Sequence, residues 1–309
     1  MPETTTAQPS PEAAHRLGLW LALFGAMAFS GKAILVKLIY RHGVDPATLI
    51  MLRMVLSLPF FMAMVWWASR GEQAREHPLT WQDLAASVGL GFLGYYFASY
   101  LDFLGLQYIT ASLERLILYL NPTLVILLSW LLYRQAVTLK RMLAMGVSYL
   151  GVMVVFGHEV KLEGAHVVLG MALVFVSALA YALYLIFSGR LVKRLGSLRL
   201  VGLASSFACL MSLIQFMVLQ PMSVADIPAP VWWLSLANAV LCTVAPVLMV
   251  MMAVERIGAG LAAQAGMIGP MTTLALGVVV LDEPFNQWVI LGTLLVLSGV
   301  YMVSRSGGK

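Results

Sequence analysis

The feature that most constrains this chain is a succession of long apolar runs, separated by short stretches that hold most of its charges. A bilayer core of about 30 Å is crossed by a helix of about 20 apolar residues. By that ruler the runs fall at 17–40, 46–68, 81–105, 109–133, 138–157, 164–189, 197–219, 230–252, 259–281 and 286–304. Breakers and charges mark the separators, at Gly43–Pro46, Arg70–Pro78, Gly157–Gly164, Arg190–Gly196 and Pro221–Pro230. In lipid every backbone polar group must be satisfied internally, so only helices and closed barrels span a membrane. The strands of a barrel would alternate over about ten residues, and these runs are longer and continuously apolar. The chain therefore reads as an all-α integral membrane protein of ten transmembrane helices.

Composition supports that reading. Hydrophobic residues make up 61% of the 309 positions and charged residues 11%, whereas a soluble domain carries about 25% charged residues. Residues 1–16 are polar and Pro- and Thr-rich, and read as a disordered tail, as do residues 305–309. The first apolar run is too long for the h-region of a signal peptide and reads as a retained helix. Cys209 and Cys242 both sit inside apolar runs, which argues against a disulfide framework. All five histidines fall in tails or loops without ligand spacing, and P-loop and zinc motifs are absent, so the sequence implies no metal or other cofactor.

Loop charges give a direction. With the amino terminus inside, the inner face holds Arg16, Arg70, Arg75, Arg134, Lys140, Arg141, Arg190, Lys193, Arg194, Arg199, Arg256, Arg305 and Lys309. The outer face holds only Arg41 and Lys161. That asymmetry follows the positive-inside rule, and it places both termini on the cytoplasmic side of an inner membrane. The net charge of +5 then reports topology. No basic stripe with interleaved aromatics is present, so nucleic acid is not an expected partner.

The chain also repeats itself. Residues 103–155 lie without gaps over residues 251–303 at an offset of 148, pairing Pro122 with Pro270 and Gly151 with Gly299. An offset of 152 pairs Gly18 with Gly170 and Ile34 with Ile186. The units are 17–157 and 164–304, each of five helices, so the second must enter the membrane in the opposite sense. Inverted repeats of this kind support alternating access, with a small-solute site at mid-membrane between the halves.

The stretch GLQYITASLERLILYLNPTLVILLSWLL and its second copy, ERIGAGLAAQAGMIGPMTTLALGVVVLDEP, resemble the EamA-type repeat of the drug/metabolite transporter superfamily. The likeness covers residues 17–304. Glu283 stands where the repeat places an acid after its fourth helix, while the first copy has Arg134-Gln135 there. Within the superfamily the chain looks most like YddG-type bacterial exporters of aromatic amino acids and related metabolites. The resemblance implies a secondary transporter rather than an enzyme. Two alternatives stay open at this stage, an exporter of toxic organic cations and a membrane enzyme acting on a lipid-linked substrate.

Helical spacing nominates solute-facing side chains. Ser177, Tyr181 and Tyr184 share a stripe, as do Tyr96 and Tyr100, with Tyr95 and Ser99 about 100° around. Tyr119 lies one turn from Arg115, and Gln264 and Met267 lie on the ninth helix. Buried tyrosines offer apolar area and a hydroxyl, which suits an amphipathic aromatic solute. Ordinary helix packing is the competing explanation. Pro122, Gly269 and Pro270 are candidate bending points. Lys32, Arg53, Asp102, Glu114 and Arg115 are ionisable groups at one depth in the outer half of the membrane. Such groups must face the bundle and find partners, and they are the expected outer gate, with Glu114–Lys32 and Asp102–Arg115 as the first pairings.

Overall fold

The computed structural model describes residues 11–134, 137–163, 165–219, 221–250, 252–253, 256–257, 268–283 and 286–305. Its helices are α1 (Pro11–Tyr40), α2 (Pro46–Ala68), α3 (Glu72–Glu76) and α4 (Trp81–Leu90). A π-helical segment, Gly91–Phe97, joins α4 to α5 (Ala98–Gly105). Then come α6 (Ala111–Leu118), α7 (Asn121–Tyr133), α8 (Leu139–Glu163), α9 (Ala165–Leu195) and α10 (Ser197–Leu219). α11 (Ala229–Ala239) runs into a second π-helical segment, Val240–Val244, and α12 (Gly269–Leu281) and α13 (Gln287–Arg305) follow.

Among the described residues, seven helices are long and apolar enough to cross a membrane: His15–Tyr40, Pro46–Ala68, Trp81–Gly105, Ala111–Tyr133, His166–Gly189, Ser197–Leu219 and Ala229–Val250. The fifth, ninth and tenth segments of the sequence contain shorter apolar helices, Met142–His158, Met271–Leu281 and Gln287–Met302. Three boundaries differ from the sequence reading. α1 begins at Pro11, so part of the assumed tail is helical. Proline is tolerated in a first turn because its missing N–H has no intrahelical partner there. α8 continues to Glu163 through the assumed loop, since no proline ends it. The fourth segment is broken, with α6 ending at Leu118 and α7 starting at Asn121.

Local chemistry explains these ends. Asp45 caps α2 by accepting from the N–H groups of Ala47 and Thr48 at 2.8 and 3.0 Å. Thr80 and Asp83 form a capping box on α4. Pro122 cannot bond the Leu118 carbonyl four residues back. Asn121 Nδ2 donates to that carbonyl instead, at 2.8 Å. α7 and α12 have equal lengths at the offset of 148, each with proline in its first turn and each ending at a left-handed residue, Arg134 (φ 52°) and Asp282 (φ 58°).

The packing pairs one half with the other. A methyl group on Gly151 of α8 would stand 2.6 Å from the Gly292 carbonyl of α13, and one on Gly299 would stand 2.6 Å from the Ala144 carbonyl. Contacts that fall from 299 to 292 as they rise from 144 to 151 mean that these helices run antiparallel. Glycine permits that approach, as small residues do between membrane helices. α2 and α10 are antiparallel by the same test: Gly202 lies against Phe61, and Cys209 Sγ donates to the Met54 carbonyl at 3.0 Å. Trp67, Trp81 and Trp233 are 65–81% exposed, as lipid-facing residues should be. Arg41 and Glu283 gather at one end of the bundle. Asp83 and Arg194 meet at the other, 3.2 Å apart.

Candidate functional site

Ionisable groups on α1, α2, α5 and α6 converge on Lys32. Its ammonium donates to Asp102 Oδ2 at 2.5 Å and lies 3.3 Å from Glu114 Oε1. Asp102 is 2% exposed and Glu114 is completely buried. The cation is thus shared by two carboxylates. Apart from their contacts with Lys32 and with each other, Asp102 Oδ1 and the Glu114 oxygens have no partner among the described residues.

The two arginines flank this triad symmetrically. The Lys32 ammonium lies 5.6 Å from the Phe29 ring and 5.8 Å from the Phe103 ring. Arg115 sits over the Phe29 ring at 5.2 Å and the Tyr119 ring at 5.4 Å, and donates to Ser30 Oγ at 2.9 Å. Arg53 sits over the Phe103 ring at 4.8 Å and donates to Ser99 Oγ at 3.1 Å. Among the described residues neither guanidinium has a carboxylate at ion-pair distance. Asp102 pairs with Lys32 and not with Arg115, because the lysine chain reaches from α1 to α5 and Arg115 turns toward Ser30.

The helix break fixes Arg115 and Tyr119 at the end of α6. There α12 comes close: a methyl group on Gly269 would lie 2.3 Å from Tyr119 Oη and 3.0 Å from Arg115 Nη2. Thr273 Oγ1 donates to the Ser30 carbonyl at 3.3 Å. Pro122 and Pro270 therefore bracket the charged cluster in the first turns of α7 and α12.

Above the cluster lies a recess of about 750 Å³, lined by Lys37, Tyr40, Arg41, Asp45, Gln107 and Glu283 among others. Tyr40 Oη donates to the Phe103 carbonyl at 2.6 Å, so one layer of side chains separates recess from charges. Glu283 spans the rim. It accepts from the N–H groups of Ala111 and Ser112 at 2.7 and 3.3 Å and from Ser112 Oγ at 2.8 Å, satisfying orphan donors at the α6 N-terminus. The sequence marked Glu283 only as part of a repeat; its partners lie about 170 residues away. Phe103 lay on the stripe of Tyr96 and Tyr100, whereas Ser30, Phe29 and Tyr40 carried no sequence signal beyond lying near Lys32 on α1.

The remaining tyrosines divide. Tyr95 and Tyr184 share a hydrogen bond at 3.1 Å with edge-to-face rings, and Tyr181 stacks on Tyr184 at 5.5 Å. Leu90 and Leu200 close this group. Ser177 Oγ donates to the Ala98 carbonyl at 2.6 Å, so it ties α9 to α5. Tyr100 packs beside Phe103 in the first half's core, and Tyr96 lies against Phe92 at 5.8 Å. Gln264 and Met267 lie outside the described residues.

The model of the EamA-like transporter family matches residues 16–157 and again residues 168–305. The chain belongs to the EamA-like transporter family. It is similar to the uncharacterized transporter YcbK of Bacillus subtilis, 26% identical, covering 94% of this chain and 95% of that one. An uncharacterized transporter of Archaeoglobus fulgidus is 24% identical over 93% and 98% of the two chains. A solved crystal structure shares the fold of this family member at a TM-score of 0.67, with 14% identity, covering 96% of this chain and 99% of that one. The EamA-like protein is thus a multi-span membrane transporter of small molecules and not an enzyme.

Proposed function

We propose that the chain is a secondary transporter that exports small amphipathic metabolites, with amino acids, aromatic ones above all, as its solutes. In this reading ten helices form two inverted five-helix repeats in a bacterial inner membrane, with both termini cytoplasmic. Alternating access proceeds by the halves moving about the antiparallel α8–α13 and α2–α10 contacts, which supports the inversion.

The observation that carries the proposal is the charged cluster beneath the recess. Five ionisable groups buried at membrane depth are expensive to keep and mark solute pathways. Here Lys32, Asp102 and Glu114 close the outer mouth, and they must separate for a solute to leave. Arg115, Tyr119 and Tyr100 are the solute-facing residues on its inner side, and the bends at Pro122 and at Gly269–Pro270 move them. Tyr95, Tyr181 and Tyr184 form an aromatic wall further in.

The test uses purified protein in sealed liposomes, with protein-dependent flux of labelled phenylalanine as the readout. A cysteine at Tyr100 then reports gating. Its labelling from the outer side rises in a Lys32→Ala or Glu114→Ala background. Unchanged labelling with normal flux in both would remove the gate from the mechanism.

A further inference from the structure

The charged cluster has more positive than negative groups, and its spare cations are the arginines. Lys32 engages both acids of the cluster, so three cations face two carboxylates. Arg53 and Arg115 are 4% and 6% exposed, and the partners described above for them are hydroxyls and aromatic rings. Each Nε lies buried without an acceptor. A guanidinium over an aromatic ring can still offer its planar fork to a carboxylate. Breaking up a buried ion pair is costly because a charge stays uncompensated. Two arginines in that condition, on two sides of one lysine, lack the anion that their geometry fits.

We propose that Arg53 and Arg115 form the anion-recognising part of the solute site, so that the transported solute carries a carboxylate. This rests on the transport reading above and assigns the residues that recognise the carboxylate of its solute. Arg115 stands one turn before the α6–α7 break, against Tyr119 and facing Gly269 of α12. Arg53 lies over Phe103, beneath the recess. A solute carboxylate at either guanidinium replaces a serine hydroxyl with a two-point ionic contact. Asp102 Oδ1 and the Glu114 oxygens, whose contacts are confined to Lys32 and to one another, are acceptors for an ammonium on the same solute. An α-amino acid satisfies both sides. A carboxylate without an amine satisfies the excess charge alone, and an organic cation adds to it.

The experiment measures three labelled probes in proteoliposomes at neutral pH, against protein-free vesicles: phenylalanine, 3-phenylpropionate, which lacks the amine, and phenethylamine, which lacks the carboxylate. Protein-dependent flux of phenylalanine and 3-phenylpropionate exceeds that of phenethylamine about tenfold or more, a difference of about 1.4 kcal/mol. Arg53→Gln or Arg115→Gln lowers phenylalanine flux by a similar factor, and Arg→Lys at the same position restores part of it. The probe comparison in the unmodified protein stands even if an arginine variant fails to fold. Phenethylamine moving as fast as the two carboxylates overturns the carboxylate inference and leaves the transport reading in place. Absence of protein-dependent flux for all three removes both.

Discussion

The offset of 152 that aligns the first helix of each half lays Phe29 and Lys32 over Tyr181 and Tyr184. Equivalent positions have been put to opposite uses. Around Lys32, buried polar groups outnumber their partners: two carboxyl groups share one lysine, and among the described residues two arginine Nε atoms donate to nothing. Around Tyr184, the hydroxyl meets that of Tyr95 and the rings pack on one another and on leucine. A buried polar group left unmatched is costly, and in the proposed reading the role of the cluster in transport is what keeps it. Satisfied aromatic packing needs no such role to persist.

The largest expected effect breaks that comparison at its charged side. Lys32→Met leaves Asp102 and Glu114 buried without their cation, and should cost about 3–5 kcal/mol of stability and abolish flux. Thermal unfolding in detergent together with liposome flux measures both, and a variant with normal melting and transport would make the cluster dispensable. Glu283→Ala exposes two unpaired N–H groups at the α6 N-terminus, an expected loss of about 1–2 kcal/mol. Faster hydrogen exchange at Ala111 and Ser112 should accompany it, and unchanged exchange there would show that the cap does not hold the rim. The smallest effect is on the aromatic side. Tyr184→Phe removes one hydroxyl pair, lowering stability by about 1 kcal/mol and leaving flux within about twofold. Loss of transport in that variant would move the solute site toward the tyrosines.

The sequence made the helices legible because lipid demands long apolar runs, and it made the cluster legible because depth follows from residue count along each helix. The offset of 148 showed that Pro122 and Pro270 are equivalent, and both stand in the first turns of equal-length helices. What a face meets was less readable. Ser177 does lie on the stripe of Tyr181 and Tyr184, but its hydroxyl bonds the Ala98 carbonyl of a neighbouring helix. Periodicity states which residues share a face and is silent on what opposes them. The partner of Asp102 was misassigned for the same reason, since depth alone cannot rank Lys32 and Arg115. Contacts such as Glu283 to Ala111 join distant segments with no local signal at either end.

The paired contacts Gly151–Gly292 and Ala144–Gly299 map onto each other under the offset of 148. In the alternating-access reading proposed above, a junction of that kind looks the same after the two halves trade roles, so it favours neither side of the exchange. It behaves like the fulcrum of an equal-armed balance. The weight lies elsewhere, because the positions aligned with Asp102 and Glu114 are Val250 and Ala262, and the charges load one arm only. With a neutral pivot, each increment of about 1.4 kcal/mol in that cluster tilts the resting population tenfold. The sidedness of this transporter would then be set by a few side chains, while the scaffold that carries them has no preferred direction.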